Sequence, residues 1–473
     1  MSSVHRAEVL SAAERVAELV ARARSAMDGF RDADQARVDE AVTALAWSVY
    51  KPEHARALAE MAVADTGLGN VADKITKNQR KTFGTLRDLL RAKTVGVIED
   101  DPALGIVKYA KPVGVVAAVT PSTNPAATPV NKAMMAIKGR NAVIIAPSPS
   151  GLATTTKTGE LMREALAKIG LPKDLVQVLP APIDKETTNA LMQACDLTVV
   201  TGSQNNVRAA YSSGKPAIGV GAGNVPVIID VSANLADAAE KICASKTFDN
   251  STSCSSENSV IILDGVYDDA ISALEKVGGY LANDEEKRAI ADTLWVGGRL
   301  NRKVIAKDAD VFAREAGLGE SAQRARFFMV EEDAIGVEHP FCDEKLALVL
   351  SVYRATNLDE AMDKVRQILA VKGRGHSCGI HTGDAAAAKR LAEELDVVRV
   401  LVNQAHTFGN GGGFDSGLNF TLSMGCGTWG GNSISENLGY KHFINITHLS
   451  TVIPEDKPSE EALFGSYWER YGK

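Results

Sequence analysis

Between residues 142 and 230 the sequence alternates short apolar runs with helical patterns, and this alternation restricts the fold more than any other feature. The helical patterns cover 154–169, 185–194 and 204–213. The apolar runs are AVIIAP (142–147), LVQVLP (175–180), LTVVTG (197–202), PAIGV (216–220) and VPVIID (225–230). Apolar strands that alternate with helices form a parallel sheet covered on both faces. We therefore predict an α/β fold with ligands beyond the carboxyl ends of its strands.

A second block follows the same rhythm. A helix is predicted over 237–248, and the run VIIL predicts a strand at 260–263. Further strands are predicted at 346–355, 377–382 and 398–403, and they alternate with helices at 358–370 and 384–394. Because no low-complexity linker separates the two blocks, we expect a second α/β domain from about 231 to 420.

Helical periodicity fills the N-terminal region, at 6–30 and 35–65, and we interpret these helices as scaffold. The first helix starts about five residues into the chain and already opens the enzyme domain. We therefore expect no additional helix that would target the protein to a microcompartment shell.

Composition excludes several classes of protein. The net charge is −7 and no cluster of lysines and arginines is interleaved with aromatics, so nucleic-acid binding is not expected. No apolar run approaches the roughly 20 residues of a membrane helix, and the N-terminus lacks the apolar core of a signal peptide. The six cysteines are scattered without a CxxC pair, which indicates reduced thiols in the cytoplasm and no metal site.

One of the six cysteines has polar neighbours in the sequence. Residues 248–258 read FDNSTSCSSEN, which places Cys254 at a polar turn just before an apolar strand. A thiolate forms acyl and hemithioacetal adducts readily, so this position favours a catalytic nucleophile. The alternative is a small buried residue at the start of a strand. Cys426, flanked by glycines in GCGTWGGNSISEN (425–437), is a competing candidate of lower rank.

Three loops that follow predicted strands have the composition of ligand-binding loops. In TPSTNPAATP (120–129) two prolines bracket Asn124, which could donate to a developing alkoxide or simply cap the next helix. TGSQNN (201–206) and GVGAGN (219–224) each allow backbone to approach a ligand, although ordinary turn glycines would look the same. Two such loops in one parallel sheet favour a nucleotide.

His376, in GRGHSCG, is a candidate base or oriented donor. A lone histidine is more often structural, and both interpretations stay open at this point.

Seven stretches combine into a family pattern. They are ADTGLGNVADKITKN, KPVGVVAAVTPSTNP, AAYSSGKPAIGVGAGNVPVIID, KTFDNSTSCSSENSVI, EKL, GHSCGIHT and LSMGCGTWGGNSISEN. In this order they resemble the aldehyde dehydrogenase superfamily, and within it the CoA-acylating branch, over nearly the whole chain. The resemblance implies a Rossmann-like cofactor domain, an α/β catalytic domain and a β oligomerisation arm. The implied bounds are 1–94 and 113–230 for the cofactor domain, 231–420 for the catalytic domain, 95–112 and 441–473 for the arm, and 421–440 for a Gly-rich segment that returns to the cofactor domain.

The resemblance also implies roles for particular residues. Cys254 matches the catalytic cysteine, and Asn124 matches the asparagine of the oxyanion hole. Glu344, in EKL, matches the carboxylate that holds the nicotinamide ribose. The implied cofactor-binding set is Thr120, Ser122, Thr123, Ser148, Thr201, Gly202, Ser203, Gly221, Gly223, Glu344, Met424 and Gly427.

Two departures from the hydrolytic relatives are informative. The position of their general-base glutamate is Gly219 here, so no carboxylate activates water and another nucleophile must release the thioester. Coenzyme A is the expected acceptor, in a reversible reaction. Where those relatives have Lys-Pro-Ser, with a lysine that contacts the adenine ribose, this chain reads APSPSG (146–151) and offers only the Ser148 hydroxyl. The choice between NAD and NADP therefore stays open.

The substrate is the least constrained feature. The loop NQAHTFGNGGGF (403–414) is predicted beside Cys254, and its His406 could face an anionic tail or could be a surface histidine without a ligand. The first interpretation favours sulfoacetaldehyde, with succinate semialdehyde, or acetaldehyde and propanal, as alternatives. A hydrolytic dehydrogenase and a non-catalytic scaffold on the same fold are further alternatives. The expected partners are the aldehyde and coenzyme A, in a homodimer or homotetramer.

Overall fold

The computed structural model describes residues 11–473. Its α-helices are α1 (Ala12–Asp28), α2 (Gln35–Tyr50), α3 (Pro52–Thr66), α4 (Val71–Leu90), α5 (Ala127–Lys138), α6 (Leu152–Lys168), α7 (Lys185–Ala194), α8 (Gln204–Tyr211), α9 (Leu235–Thr247), α10 (Tyr267–Lys276), α11 (Asp284–Leu294), α12 (Ala309–Glu315), α13 (Glu320–Gln323), α14 (Leu358–Val371), α15 (Ala385–Glu394), α16 (His406–Gly409) and α17 (Glu460–Tyr471). Within these residues, none of the helices combines the length and the apolar character that crossing a membrane requires.

The strands are β1 (Gly96–Asp101), β2 (Ile106–Pro112), β3 (Val115–Val119), β4 (Ala142–Ala146), β5 (Val176–Val178), β6 (Leu197–Thr201), β7 (Ala217–Val220), β8 (Val225–Ile229), β9 (Glu257–Leu263), β10 (Gly279–Leu281), β11 (Trp295–Val296), β12 (Arg299–Leu300), β13 (Phe327–Glu331), β14 (Val349–Ala355), β15 (Cys378–His381), β16 (Val400–Val402) and β17 (Ile444–Ser450). They form two parallel sheets, a three-stranded antiparallel sheet and one short hairpin. The predicted α/β class is confirmed.

The first sheet has five parallel strands in the order β5-β4-β3-β6-β7. Every residue of β3 and β4 is buried, as uninterrupted valine, isoleucine and alanine runs require when helices cover both faces. The apolar faces of α1, α2, α5 and α6 contribute to the same core. The carboxyl ends of β3, β4 and β6 therefore open onto one edge.

The second sheet has seven parallel strands in the order β10-β13-β14-β9-β8-β15-β16. Placing residues 225–230 with the first block was wrong, because β8 pairs with β9 and β15 in this second sheet. The uniformly buried pattern of β8 shows that it is central but not which sheet contains it. Strand β13, an edge-adjacent strand of the second sheet, had no counterpart in the sequence analysis.

The third sheet joins two distant segments. β1 and β2 form a hairpin, and β17 pairs with β2 from Ile444 to Ser450. Six of the seven residues of β17 are exposed in the single chain. The sheet unites the segments 95–112 and 441–473, whose assignment as an oligomerisation arm stays a prediction.

The N-terminal region is helical, with one break that the sequence analysis missed. The helix predicted over 6–30 is described from Ala12, and residues 6–10 lie outside the described part of the chain. The expectation about shell targeting depends on the stretch before that helix, which also lies outside the described residues. The stretch 35–65 is two helices, because Pro52 begins α3 at a position where its missing N–H is tolerated. Helix α4 follows and packs against α2, α3 and α5.

Candidate active site

Cys254 lies in the turn between α9 and β9, and the backbone of this turn is strained. Asp249, Asn250 and Ser251 have φ values of 50°, 52° and 64°, the left-handed region that costs ordinary residues about 1–2 kcal/mol each. Their buried side chains hold them there: the Asn250 amide donates to Asp308 at 2.8 Å, and the Ser251 hydroxyl lies 2.7 Å from that of Ser256. The turn is therefore fixed by its surroundings and not by local propensity.

Asp249 also ties the turn to α4. Its carboxylate accepts from Lys74 at 3.0 Å and from Lys77 at 2.5 Å, and all three side chains are buried. Lys74 donates as well to the Thr123 carbonyl at 3.0 Å. One buried lysine thus joins the cysteine turn to the loop that contains Asn124.

The space around Asp249 admits no side chain at Gly69. A Cβ built there would lie 1.9 Å from the Asp249 carboxylate, and the backbone of Gly69 is left-handed, with φ of 72°. Glycine is required at this position for both reasons.

Asn124 extends from the loop after β3. Its amide nitrogen makes one hydrogen bond, to the Thr123 hydroxyl at 3.3 Å, and its buried Oδ1 has no partner among the described residues. The side chain does not cap α5, which has no side-chain cap. An amide that is incompletely paired beside the cysteine turn matches the expected donor to a developing alkoxide.

The Cys254 thiol itself rests in its protonated form. Burial, and next the Glu344 carboxylate, raise its pKa to about 12. Burial likewise raises the pKa of Glu344 to about 7, and the Gly223 N–H donates to that carboxylate. Gly223 packs so closely on the turn that a Cβ would lie 1.9 Å from the Cys254 carbonyl oxygen. Cys254, Gly223 and Glu344 therefore form one contiguous group.

A cavity of about 710 Å³ opens at the carboxyl edge of the first sheet. Six of the residues that were predicted to bind cofactor line it: Thr120, Ser122, Ser148, Thr201, Gly202 and Ser203. The Ser148 hydroxyl oxygen is buried there without a hydrogen-bond partner among the described residues. Such an unpaired buried group is available to hydrogen-bond a ligand. The cavity has the size of a site for a small organic cofactor, and like such sites it presents a few polar groups on a mainly apolar lining.

The other predicted cofactor residues lie outside this cavity. The Thr123 carbonyl binds Lys74, and Gly221 packs against Gln204 of α8, whose amide nitrogen would lie 2.0 Å from a Cβ at that glycine. Met424 accepts from the Ser255 hydroxyl at 3.2 Å through its sulfur. Gly427 occupies a left-handed turn, with φ of 61°.

The Gly-rich segment 421–440 does return to the first domain. The hydroxyl oxygens of Thr201 and Ser423 are 2.6 Å apart, and the Ser433 N–H donates to the Tyr211 hydroxyl at 3.0 Å. The segment therefore connects the cavity edge to the cysteine turn.

The two candidate histidines form a buried pair. His376 Nδ1 lies 2.7 Å from the Ser377 hydroxyl, and His406 Nε2 lies 2.9 Å from the same oxygen. Burial, and then the Arg399 charge, lower the pKa of His376 to about 3. Burial also holds the pKa of His406 well below its usual value. Both rings are neutral at physiological pH.

This placement corrects the interpretation of His406. Its side chain is 1% exposed, so it is neither a surface histidine nor a charged contact for an anionic tail. The prediction failed because the loop turns inward as α16, which buries His406 and Thr407 against polar partners such as Ser377 and Ser245. His376, also 1% exposed, is in no position to accept a proton from solvent.

Cys426 is a poor rival to Cys254. All six cysteines lie in the described part of the chain; five are buried, whereas Cys254 keeps partial exposure even though the protein packed around its sulfur desolvates it. The Cys426 thiol donates to the Met424 carbonyl at 3.6 Å, and burial raises its pKa to about 11.

Comparison with known proteins supplies the family. The Aldehyde dehydrogenase family matches residues 4–286. The chain is 52% identical over 464 residues to the sulfoacetaldehyde dehydrogenase (acylating) of Cupriavidus necator, covering 98% of this chain and 94% of that one.

This chain belongs to the aldehyde dehydrogenase family.

Solved structures of the family share the whole fold. An acetylating aldehyde dehydrogenase from Geobacillus thermoglucosidasius superimposes with a TM-score of 0.90 at 36% identity, covering 95% of this chain and 98% of that one. The propionaldehyde dehydrogenase of Rhodopseudomonas palustris, solved with bound CoA and an acylated cysteine, gives a TM-score of 0.82 at 25% identity, covering 94% and 99%. The predicted membership of the acylating branch is confirmed, and the chain is an oxidoreductase.

Gly219, which the resemblance aligns with the general base of hydrolytic relatives, has no room for a side chain. A Cβ at Gly219 would lie 2.6 Å from Val207 and 3.1 Å from the Tyr211 ring. The Tyr211 hydroxyl also accepts from the Gly219 N–H at 3.0 Å. A glutamate does not fit at the end of β7 without displacing α8.

Sequence reasoning missed the buried ion cluster of Lys74, Lys77 and Asp249. Two of the family stretches contained these residues, but nothing local marks them. The two lysines are three positions apart on one face of α4, which is the spacing that would have linked them.

Proposed function

We propose that this acylating aldehyde dehydrogenase oxidises sulfoacetaldehyde to sulfoacetyl-CoA, with NAD+ or NADP+ as oxidant and Cys254 as the nucleophile. The similarity that extends along nearly the whole chain to an enzyme named for this substrate is the observation that carries the proposal. The absence of space for a base at Gly219 supports acyl transfer over hydrolysis.

In the first half-reaction the Cys254 sulfur forms a bond to the carbonyl carbon, and the former carbonyl oxygen becomes an alkoxide. The Asn124 amide nitrogen donates to this oxygen, because one of its two hydrogens is not held by protein. When bound, the nicotinamide supplies the hydride acceptor that converts the adduct into a thioester. The thiolate must be generated first, since the resting pKa of Cys254 is near 12.

In the second half-reaction the sulfur of coenzyme A attacks the thioester carbon, and Cys254 departs as a thiolate. Aldehyde, CoA and NAD(P)+ thus yield acyl-CoA, NAD(P)H and one proton. Water competes poorly, because the family's base position is filled by Val207 and Tyr211 around Gly219. The exchange of one thioester for another makes the sequence reversible.

The cavity at the first sheet suits the nicotinamide cofactor. The loops after β3, β4 and β6 all end there, where a parallel sheet binds nucleotides. The unpartnered Ser148 hydroxyl can exchange a hydrogen bond with a ribose hydroxyl. Glu344 would hold the nicotinamide ribose near Cys254. Neither group distinguishes NAD from NADP.

The exposed third sheet supports assembly of the enzyme from copies of the chain. β17 leaves Ile446 and Leu449 about half exposed, and α17 exposes Phe464 and Tyr467. Burial of such apolar residues against a second copy would stabilise a homodimer or homotetramer. The six free thiols support a reducing compartment, the cytoplasm.

A substrate panel tests the proposal. NAD(P)H formation is followed with sulfoacetaldehyde, succinate semialdehyde and propanal, each with and without CoA, and the product is identified by mass. We expect kcat/KM to be highest for sulfoacetaldehyde and turnover to require CoA. Preference for propanal would contradict the substrate, a free acid without CoA would indicate hydrolysis, and inactivity with every aldehyde would indicate a scaffold.

A further inference from the structure

Helix α4 presents three buried lysines on one face, and one of them lacks a carboxylate. Lys74 and Lys77 share Asp249, as described above. Lys81, one turn further on, is 9% exposed, and no salt bridge is found for it within residues 11–473. Its ammonium donates to the Gly411 carbonyl at 2.8 Å, which leaves two of its three hydrogens without a protein acceptor.

Lys81 is electrostatically coupled to Cys254, and residues near it contact the cysteine turn. Lys77, one turn earlier, donates to the Thr252 hydroxyl at 3.2 Å, two residues before Cys254. On the other side, Gly411 adjoins Asn410, whose amide donates at 2.9 Å to the hydroxyl of Ser255, the residue after Cys254. The two neighbours of Lys81 therefore contact both flanks of the cysteine turn.

The charges around Lys81 are unbalanced. Burial, and then the Arg80 and Lys77 charges, lower its pKa to about 7, whereas a Cys254 thiolate raises it. Its ammonium also lies 5.5 Å from the centre of the Phe420 ring. A buried ammonium without a counterion is unfavourable by several kcal/mol, so an anion that entered beside Lys81 would be bound favourably and would keep it charged.

We propose that the Lys81 ammonium binds the anionic tail of the aldehyde while Cys254 attacks the carbonyl carbon. The inference rests on the proposed function and deepens it, because it assigns to Lys81 the charged contact that buried, neutral His406 does not make. The chemistry recognised is a sulfonate or carboxylate a short distance from an aldehyde carbon. Lys81 is thus a specificity-determining residue.

The Lys81 charge also stabilises the Cys254 thiolate, so the test must separate that effect from binding of the tail. Alkylation of Cys254 by 2-bromoethanesulfonate and by 2-bromoethanol does so, because both reagents need the thiolate and only the first has an anionic tail. The ratio of the two second-order rates cancels the fraction of thiolate. It is measured on the wild-type enzyme, on Lys81→Met, and on Lys157→Met as a control on the exposed face of α6.

A charge-assisted contact of about 1.5–3 kcal/mol corresponds to roughly a ten- to hundredfold fall in this ratio for Lys81→Met. The Lys157→Met ratio should equal that of wild type. An unchanged ratio in Lys81→Met would overturn the inference. A circular dichroism spectrum and a cooperative melting transition like those of wild type show that Lys81→Met is folded.

The wild-type enzyme provides a second test that needs no variant. The groups that face Lys81 are Arg80 and Lys77 on its own helix and Cys254 in the adjacent turn. Arg80 stays charged, and the thiolate cancels in the ratio, so the ratio should fall as pH rises through about 7 and Lys81 loses its proton. A ratio independent of pH between 6 and 9 would contradict the inference.

These outcomes are distinct from failure of the proposed function. If wild type prefers propanal in the substrate panel, the proposed aldehyde is wrong, and the alkylation ratio still decides whether Lys81 binds an anion. If wild type prefers sulfoacetaldehyde and Lys81→Met keeps the same preference and ratio, the function stands and the role of Lys81 is wrong.

Discussion

At the scale of single residues, the proposed nucleophile is a thiol that its surroundings keep protonated. Burial and the Glu344 carboxylate together raise the pKa of Cys254 to about 12. A nearby positive charge, such as that of a protonated Lys81, would lower this pKa and favour the thiolate.

The first prediction concerns the nucleophile. Cys254→Ala should abolish both aldehyde oxidation and acyl-CoA reduction, because no other described cysteine is accessible, and it should leave the melting temperature nearly unchanged, because the side chain is small. Cys426→Ala is the matched control and should stay active. Activity retained by Cys254→Ala and lost in Cys426→Ala would reverse the assignment.

The second prediction concerns stability and pH. Lys81 has a pKa of about 7 when folded against 10.5 when unfolded, so between these values the unfolded chain binds more protons. Wild-type stability should therefore rise with pH in that window, by at most about 1.4 kcal/mol per unit from this group. Lys81→Met lacks this rise, and its advantage in melting temperature should be largest below pH 7 and shrink toward pH 10. A constant or growing difference would refute the assignment of a depressed pKa.

The sequence pointed to candidate site residues but not to their charges. Cys254 stood out because its neighbours are polar and Thr201 because it follows a predicted strand, whereas Ser148 entered through the family resemblance. The states of His406 and Lys81 depend on burial by residues distant in sequence, which no local pattern shows. The sequence left open whether His406 faces a ligand or the solvent, and it did not single out Lys81, yet both side chains are buried.

At the scale of elements, α4 and the cysteine turn act as one unit. The left-handed residues 249–251 are held through the contact of Asp249 with Lys74 and Lys77. Removing one partner of such a buried cluster costs about 3–5 kcal/mol, because the other charges stay buried. The position of Cys254 therefore depends on a helix nearly two hundred residues earlier in the chain.

The third prediction tests this dependence with two neighbouring glycines. Gly67 and Gly69 both have left-handed backbones, with φ of 66° and 72°, so alanine at either costs about 1–2 kcal/mol. Only at Gly69 would the new Cβ strike Asp249, at 1.9 Å. Gly69→Ala should lower both the melting temperature and kcat markedly, whereas Gly67→Ala should lower the melting temperature slightly. Equal effects of the two substitutions on kcat would show that the cluster does not position the turn.

Elements whose packing is set by local pattern were predictable. The uninterrupted apolar runs of β3, β4 and β6 are sufficient to predict a parallel sheet. The sheet that contains β8 was not predictable, since a uniformly apolar strand fits the centre of either sheet. Helix α4 escaped notice because its buried lysines mask the apolar period that normally reveals a helix face.

At the scale of the whole molecule, the site exists only where the parts meet. The first sheet supplies the cofactor cavity and Asn124, the second supplies the cysteine turn and Glu344, and segment 421–440 joins them through Thr201 and Ser423. Each part is an ordinary α/β or loop element. Taken together, the family motifs imply that these parts meet, because the motifs occur in the family's order along the chain. A single motif carries no such information.

A burst experiment tests the central claim, acyl transfer through Cys254, most directly. Enzyme at micromolar concentration is mixed with sulfoacetaldehyde and NAD(P)+ in the absence of CoA, and both NAD(P)H and the intact protein mass are recorded. We predict that one NAD(P)H forms per active site and that the reaction then stops with a sulfoacetyl group on Cys254. Addition of CoA should release this group as acyl-CoA and start continuous turnover. Steady NAD(P)H formation without CoA, or an acyl group on another residue, would contradict the account.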